Sequence, residues 1–330
     1  MSSPSPRLDW IDRTRGIAMV LIVAGHVWNR LWKTGQLSSL PLYEFVRDLL
    51  YSFHVPVFFF ISALLFTRSM MNKPLRPLLR KRTVQLLYPY FIWSLLQTGV
   101  EAATGAIPGS SAAEFLRILY WPRAHFWFLP TLLGFMWITA GFFRIPRAGN
   151  KWIPALSLFC LGLYLCSWIV DLTPFHDLAK NSIYFAAGVA SAALPERLQT
   201  RHFRTVTLAA YMVPFVLLSA IWIPRGGAEN IFGQALLAFT GILATLSLSV
   251  VWPRLRLPDP SLLGRKSLVI YVAHILTAYA VMDLLSRVGL GWGWLLLLGT
   301  LSGIGLPLLL EGVCGRLKFP WLFSPPQSWN

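Results

Sequence analysis

Apolar residues along this chain gather into long blocks separated by short polar and basic stretches. A helix needs about 20 such residues to cross a hydrocarbon layer roughly 30 Å thick. Ten blocks come near that length: Ile17 to Leu31, Leu49 to Phe66, Val84 to Val100, Phe126 to Phe143, Trp152 to Val170, Ile183 to Leu194, Val206 to Ile223, Ile231 to Val251, Leu268 to Leu285 and Trp292 to Leu310. The pattern predicts an all-α, polytopic membrane helix bundle with about ten transmembrane helices. The sixth block is short, and its Ala186, Ala187, Gly188, Ala190 and Ser191 suit a helix packed tightly among others, since small side chains let backbones approach. No internal repeat stands out, so a single membrane-embedded domain over residues 1–330 is the simplest organisation.

The polar stretches set the orientation, because cytoplasmic loops retain positive charge. With the N-terminus inside, the inner flanks hold 21 of the 29 Lys and Arg residues, and the outer flanks keep only Arg30, Lys33, Arg47, Arg117, Arg123, Lys180, Arg225 and Arg287. An even number of spans puts both termini in the cytoplasm. Arg7, Arg147, Arg197, Arg201 and Arg204 contribute to the inner excess, and the inner loop from Arg68 to Arg82 carries six basic residues and no acidic one. Pro74 and Pro77 are expected to break any helix crossing that loop. On the outer side, Glu101 to Arg123 begins rich in Gly, Pro and Ser and then carries an amphipathic stretch, Glu114 to Trp121, that suits a surface-lying helix.

Composition agrees with a lipid environment: 55% of residues are hydrophobic and 13% charged, about half the usual charged share. The net charge of +16 is spread over every inner loop beside apolar spans. It reads as topology and contact with anionic membrane lipids, not as a nucleic acid surface. No cleavable leader is evident, so the first block should persist as a helix. Cys160, Cys166 and Cys314 have spacings that fit neither a metal site nor a redox pair, and read as small core residues.

Ionisable side chains inside spans are costly and therefore functional candidates. His26 follows Arg15 by eleven residues, which returns a helix to within about 20° of its starting direction. Asp12 lies on the same face and can pair with Arg15. A cation at the inner boundary and an imidazole near mid-membrane on one stripe fit a long, anionic, cytosolic ligand. His54 and His274 lie at depths that allow all three imidazoles to meet in a central cavity, which Trp127 and Tyr271 could also line. The plainer alternatives are an interhelical hydrogen bond for each buried histidine and an interface anchor for Trp127. His125, His176 and His202 fall at span ends or in loops, where solvated roles are expected. An imidazole titrates near neutrality, so it can take a proton from a hydroxyl, but it can equally relay protons in a transporter.

The residues resemble those of the acyltransferase 3 family of integral membrane acyltransferases, in particular short members related to sugar O-acetylases. LDWIDRTRGIAMVLIVAGHVW (Leu8 to Trp28) resembles the opening signature, an Arg-Gly followed after ten residues by His; FHVPVFFFISALLF (Phe53 to Phe66) resembles the second, a His-x-Pro with aromatics and a Ser. RTVQLLYPYFIW (Arg82 to Trp93), HFWFLPTLL (His125 to Leu133) and GRKSLVIYVAHI (Gly264 to Ile275) resemble the third, fourth and ninth helix segments. Two departures stand out: Gln85 occupies a position where the family commonly has a second arginine, and Ala63 one where Gly is frequent. No esterase-like domain is expected after the tenth span, unlike in long members.

The resemblance implies transfer of an acyl group, acetyl first, from cytosolic acyl-CoA to a hydroxyl of a sugar or glycan that could be lipid-linked. It implies His26 as catalytic base with Arg15 as its partner in the first-helix motif, and donor phosphates held near Arg82, with Arg80, Lys81 or Arg265 supplying a second cation. Arginine suits phosphates because its rigid donors grip oxygens in pairs. Acetyl-CoA or another acyl-CoA is then a substrate; no permanently bound cofactor and no metal is expected, and a bacterial cytoplasmic membrane is the expected location. The rival readings are a proton-coupled transporter of a sugar or glycan intermediate, and a non-catalytic partner of glycan enzymes.

Overall fold

A computed structural model describes residues 9–105, 112–144, 151–172, 175–192 and 205–326. Arg7, Arg147, Arg197, Arg201, His202, Arg204 and the end of the sixth block, Leu194, lie outside the described residues. Among those described the regular structure is entirely helical, with short 3-10 turns between helices. The helices are α1 (Asp9–Lys33), α2 (Leu40–Asn72), α3 (Leu75–Ala103), α4 (Ala112–Arg117), α5 (Phe128–Phe143), α6 (Trp152–Cys166), α7 (His176–Ala192), α8 (Thr205–Trp222), α9 (Ile231–Val251), α10 (Ser261–Arg265), α11 (Ser267–Ser286) and α12 (Trp292–Arg316). Each of the ten apolar blocks overlaps one of these helices. Among the described residues six helical stretches are long and apolar enough by themselves to cross a membrane: those over Leu40–Asn72, Ala124–Phe143, Leu208–Arg225, Ile231–Leu255, Ser267–Ser286 and Trp292–Arg316. Large apolar side chains such as Val213, Val216, Leu217, Leu301 and Leu309 face outward, as lipid contact requires and water does not favour.

Several boundaries differ from the sequence reading. The second helix is 33 residues long, far beyond Leu49 to Phe66. The basic loop is mostly helical: α2 continues to Asn72 and α3 starts at Leu75, with Pro74 as its N-cap. Pro74 does break the helix, but Pro77 sits in the first turn of α3, where no backbone donor is needed. The fifth block stops being helical at Cys166. Cys166 is exposed, not a core residue, whereas Cys160 and Cys314 are buried. His125 is also corrected: it is only 6% exposed, in the 3-10 turn Ala124–Trp127, not solvated.

Close contacts cluster into two compact units, Met1–Ile61 with Leu194–Leu308, and Ser62–Ala193 with Leu309–Asn330. In the first unit, α2 folds back on α1: the Trp28 indole donates to the Tyr43 carbonyl at 3.1 Å, and Trp32 stacks on Tyr43 with ring centroids 4.6 Å apart. Pro56 has no N–H for the carbonyl of Ser52 one turn earlier, and the Gln234 amide of α9 donates to that carbonyl instead, at 3.2 Å. Thr14 of α1 donates to Ser249 of α9 at 2.8 Å. Gly241 lets α9 approach Phe53 so closely that an added Cβ would lie 2.5 Å from it.

In the second unit, α7 is buried along Ala179, Ser182, Ala186, Gly188 and Val189, and Phe135 of α5 stacks on Phe185 at 4.7 Å. The 3-10 turn Pro320–Leu322 is tied to α3, where Tyr88 donates to the Trp321 carbonyl at 2.6 Å and Trp93 to that of Leu322 at 2.9 Å. The Glu101 to Arg123 stretch closes with Arg123 between two carboxylates, Glu101 at 2.6 Å and Glu114 at 3.0 Å.

Candidate active site

The first unit brings three imidazoles together around Tyr51. The His26 ring of α1 lies 5.1 Å from that of His274 on α11 and 6.1 Å, edge-on, from Tyr51 on α2; Tyr51 in turn lies 4.8 Å from His54. The Tyr51 hydroxyl is 3.5 Å from His26 Nδ1 and accepts a hydrogen bond from the Asn29 amide at 2.7 Å. Tyr279 of α11 donates to the His26 carbonyl at 3.3 Å.

His54 and His274 are sealed, at 1% and 0% exposure, whereas His26 is half-buried. The Nδ1 of each sealed ring is bonded to a carbonyl of its own helix: Leu50 for His54, and Tyr271 at 2.6 Å for His274. A carbonyl only accepts, so in both rings Nδ1 carries a hydrogen. Tyr271 is itself buried, 6.1 Å from His274 between ring centroids. Of the three imidazoles, His26 is the one that keeps part of its surface exposed.

The other sequence candidates are placed as follows. Arg15 is half-buried and donates to Ser267 at the start of α11 at 2.6 Å. Asp12 lies one turn before it, and its carbonyl lies where a Cβ on Gly264 would come, 1.8 Å away. Gly16, the glycine of the Arg-Gly pair, faces Pro260: its Cβ would come 2.1 Å from that carbonyl. The glycines at 16 and 264 therefore let the turn before α11 press against the start of α1, and that contact seats Ser267 beside Arg15. Arg265 is exposed and donates to Ser261 at 3.1 Å. In the second unit, Arg80 and Lys81 are exposed, and Arg82 is half-buried with its guanidinium donating to Gln85 at 3.1 Å. Trp127 is half-buried in the 3-10 turn that enters α5.

Several participants escaped the sequence reading. Tyr51 and Asn29 had a faint signal, each three residues from a candidate histidine and so on its helix face. The Arg13–Asp259 fork (3.1–3.2 Å) and the Arg30–Asp283 fork (2.8–2.9 Å) join residues about 250 positions apart and had none. The Arg30 guanidinium also lies over the Tyr279 ring at 5.0 Å. Burial by itself would raise the Asp259 carboxyl, but hydrogen bonds from Arg13 and the Ser261 N–H, with the Arg13 charge, hold it below the usual carboxylate range. Among the described residues no group of three or more His, Cys, Asp or Glu could hold a metal ion.

An all-helical membrane bundle with a partly exposed imidazole on its first helix, steadied by arginine and aromatic neighbours, defines a class of lipid-embedded proteins with a candidate proton-transfer centre. The chain belongs to the acyltransferase 3 family: residues 8–312 match its acyltransferase domain. It is also similar to the nodulation protein NolL of Sinorhizobium fredii, with 28% identity over 157 residues, 46% of this chain. The matched stretch spans 41% of that relative's length. No solved structure matches the chain.

Proposed function

We propose that the protein moves an acyl group, acetyl first, from cytosolic acyl-CoA to a hydroxyl of a sugar or glycan, with His26 as general base. The observation that carries this reading is the half-buried His26 ring, set between Tyr51 and His274 on the helix where the family match begins. In the reaction the acceptor oxygen bonds to the thioester carbonyl carbon as His26 takes the hydroxyl proton. The carbon–sulfur bond then breaks, and that proton passes from His26 to the departing CoA sulfur. Arg15 steadies the inner end of the same helix face. Arg80, Lys81, Arg82 and Arg265 supply cations for the donor's phosphates, with Gln85 orienting Arg82 in place of a second arginine.

The family match runs through both compact units, which favours their acting as one acyltransferase domain. The parallel run of α1 and α11, with 15 beside 267 and 30 beside 283, suits ten crossings with both termini in the cytoplasm. Parallel neighbours need an even number of crossings between their starting points. We place the protein in a bacterial cytoplasmic membrane, taking acceptors that are free or lipid-linked.

The test pairs purified protein with cells. In detergent, thiol release from acetyl-CoA separates a transferase from a transporter, which releases none. In cells, mass spectrometry counts ester-bound acyl groups on envelope glycans with and without the gene. Loss of both signals in a folded His26→Ala variant supports the reading; an active His26→Ala variant overturns the assignment of the base.

A further inference from the structure

We infer that a cavity on the outer side of the second unit is a docking subsite for one neutral sugar ring of the acceptor. It has a volume of about 180 Å³, is formed by α4 and the turns that follow it, and has Glu114, Arg117, Ile118, Trp121 and Arg123 in its walls. None of these residues takes part in proton transfer or donor binding as proposed above. The inference rests on the acyltransferase reading only in calling the sugar an acceptor.

The walls are fixed from behind by α3. The Tyr90 hydroxyl donates to the carbonyl of buried Ile118, which pins that wall. Glu101, near the end of α3, accepts from Gln97 at 2.8 Å through one oxygen and from Arg123 at 2.6 Å through the other, and Arg123 reaches on to Glu114 at 3.0 Å. The Trp121 N–H donates to the Arg117 carbonyl at 2.8 Å, and the Arg117 guanidinium lies 5.7 Å from the centre of the Trp121 ring. Ala124, which also lines the cavity, takes a φ of 47°, a left-handed conformation that a residue with a Cβ keeps only where its surroundings enforce it.

The chemistry of these walls suits a sugar. Trp121 keeps part of its ring exposed and offers an apolar face to the C–H side of a sugar ring. Carboxylate and guanidinium groups held in fixed planes pair with neighbouring hydroxyls as acceptors and donors. Arg117 is the least committed of them, 3.8 Å from Glu114, and has donors to spare for ligand oxygens. Two carboxylates, Glu101 and Glu114, stand with two guanidiniums, Arg117 and Arg123, so the charge is balanced and a phosphate or uronate gains no net attraction. Leu116, Leu119 and Tyr120 expose large side chains on the same stretch, as a segment resting at the lipid headgroups would. The cavity therefore opens at the level where a glycan carried along the membrane surface passes.

The test is retention of the full-length protein, in detergent, on an array of neutral, uronate-bearing and phosphorylated oligosaccharides. The parent should be held by neutral sugars. Trp121→Ala and Arg117→Gln, at matched folded fraction, should each weaken that retention about tenfold, as loss of an aromatic anchor or of hydrogen bonds from a charged group does. Leu119→Ala, an exposed neighbour outside the cavity, should leave it unchanged. Undiminished retention in both Trp121→Ala and Arg117→Gln, an equal fall in Leu119→Ala, a preference for uronate or phosphate, or no retention of the folded parent overturns the proposal.

The array reads binding and no acyl transfer, which keeps this site and the proposed reaction separable. A parent that holds neutral sugars through Trp121 yet releases no thiol from acetyl-CoA overturns the transferase and supports the sugar site. A parent that releases thiol but holds no neutral sugar overturns the site alone.

Discussion

The ring cluster on α1, α2 and α11 and the basic stretch from Arg76 to Arg82 are both rich in groups with functional promise, yet they are built in opposite ways. Around His26 the neighbours are aromatic rings, amides and main-chain carbonyls, and several of the polar atoms are directed by specific partners. Along the start of α3 the cations at 76, 80 and 81 are exposed, and Arg82 alone is steadied, by a glutamine one turn away. A proton-transfer centre has to be held to within a fraction of an ångström. A phosphate-attracting surface works through summed charge and tolerates mobile side chains. The two regions should therefore respond differently to single substitutions.

The largest effect is expected at the ring cluster. His26→Ala should lower acyl transfer about a thousandfold, within the range general-base catalysis contributes, with the folded fraction in detergent unchanged. The next largest is structural: Gly16→Ala or Gly264→Ala forces a Cβ against main-chain carbonyls. Each should lower stability by about 1–3 kcal/mol, as overpacked sites do, read as a lower midpoint in detergent thermal unfolding. In the basic stretch, Arg82→Ala should raise the KM for acyl-CoA up to about tenfold, roughly 1.4 kcal/mol, and leave kcat unchanged. A fall in kcat with constant KM would move Arg82 out of the phosphate-binding role and erase the contrast.

The smallest effect belongs to the Arg13–Asp259 pair. Its carboxylate is half exposed, so Arg13→Ala should cost below about 1 kcal/mol. Because the folded Asp259 carboxyl lies below its usual value, its contribution is present above the ordinary carboxylate range, about pH 4, and fades as pH falls through the depressed value. Unfolding midpoints of Asp259→Asn and the parent should therefore differ at pH 7 and draw together as pH falls below the ordinary carboxylate range.

Helix class and block positions were legible because burial in lipid demands unbroken apolar runs. Helix ends were less so: in α2 and α3 the charged flanks continue the helix beyond the apolar core, a pattern that hydropathy cannot see. His26, Arg15, His54 and His274 were found because charge inside an apolar block is rare. Tyr51 and Asn29 were hidden because tyrosine and asparagine near a span end are commonplace and mark chemistry only through what stands opposite. The roles of Gly16 and Gly264 could not be read at all. Each is needed because another strand of backbone lies against it, a fact that belongs to the fold and not to either segment.

The pairing of α1 with α11 also bears on synthesis in the membrane. Arg13, Arg15 and Arg30 are among the first residues to enter the bilayer, while the groups they bind lie 246 to 253 residues further along. At roughly 5–20 residues per second, the leading helix waits on the order of ten to fifty seconds with three guanidinium groups short of those partners. Lipid headgroups and insertion machinery must shelter them meanwhile, and a chain truncated before residue 259 would carry the imidazole of its first helix without the second helix that holds it.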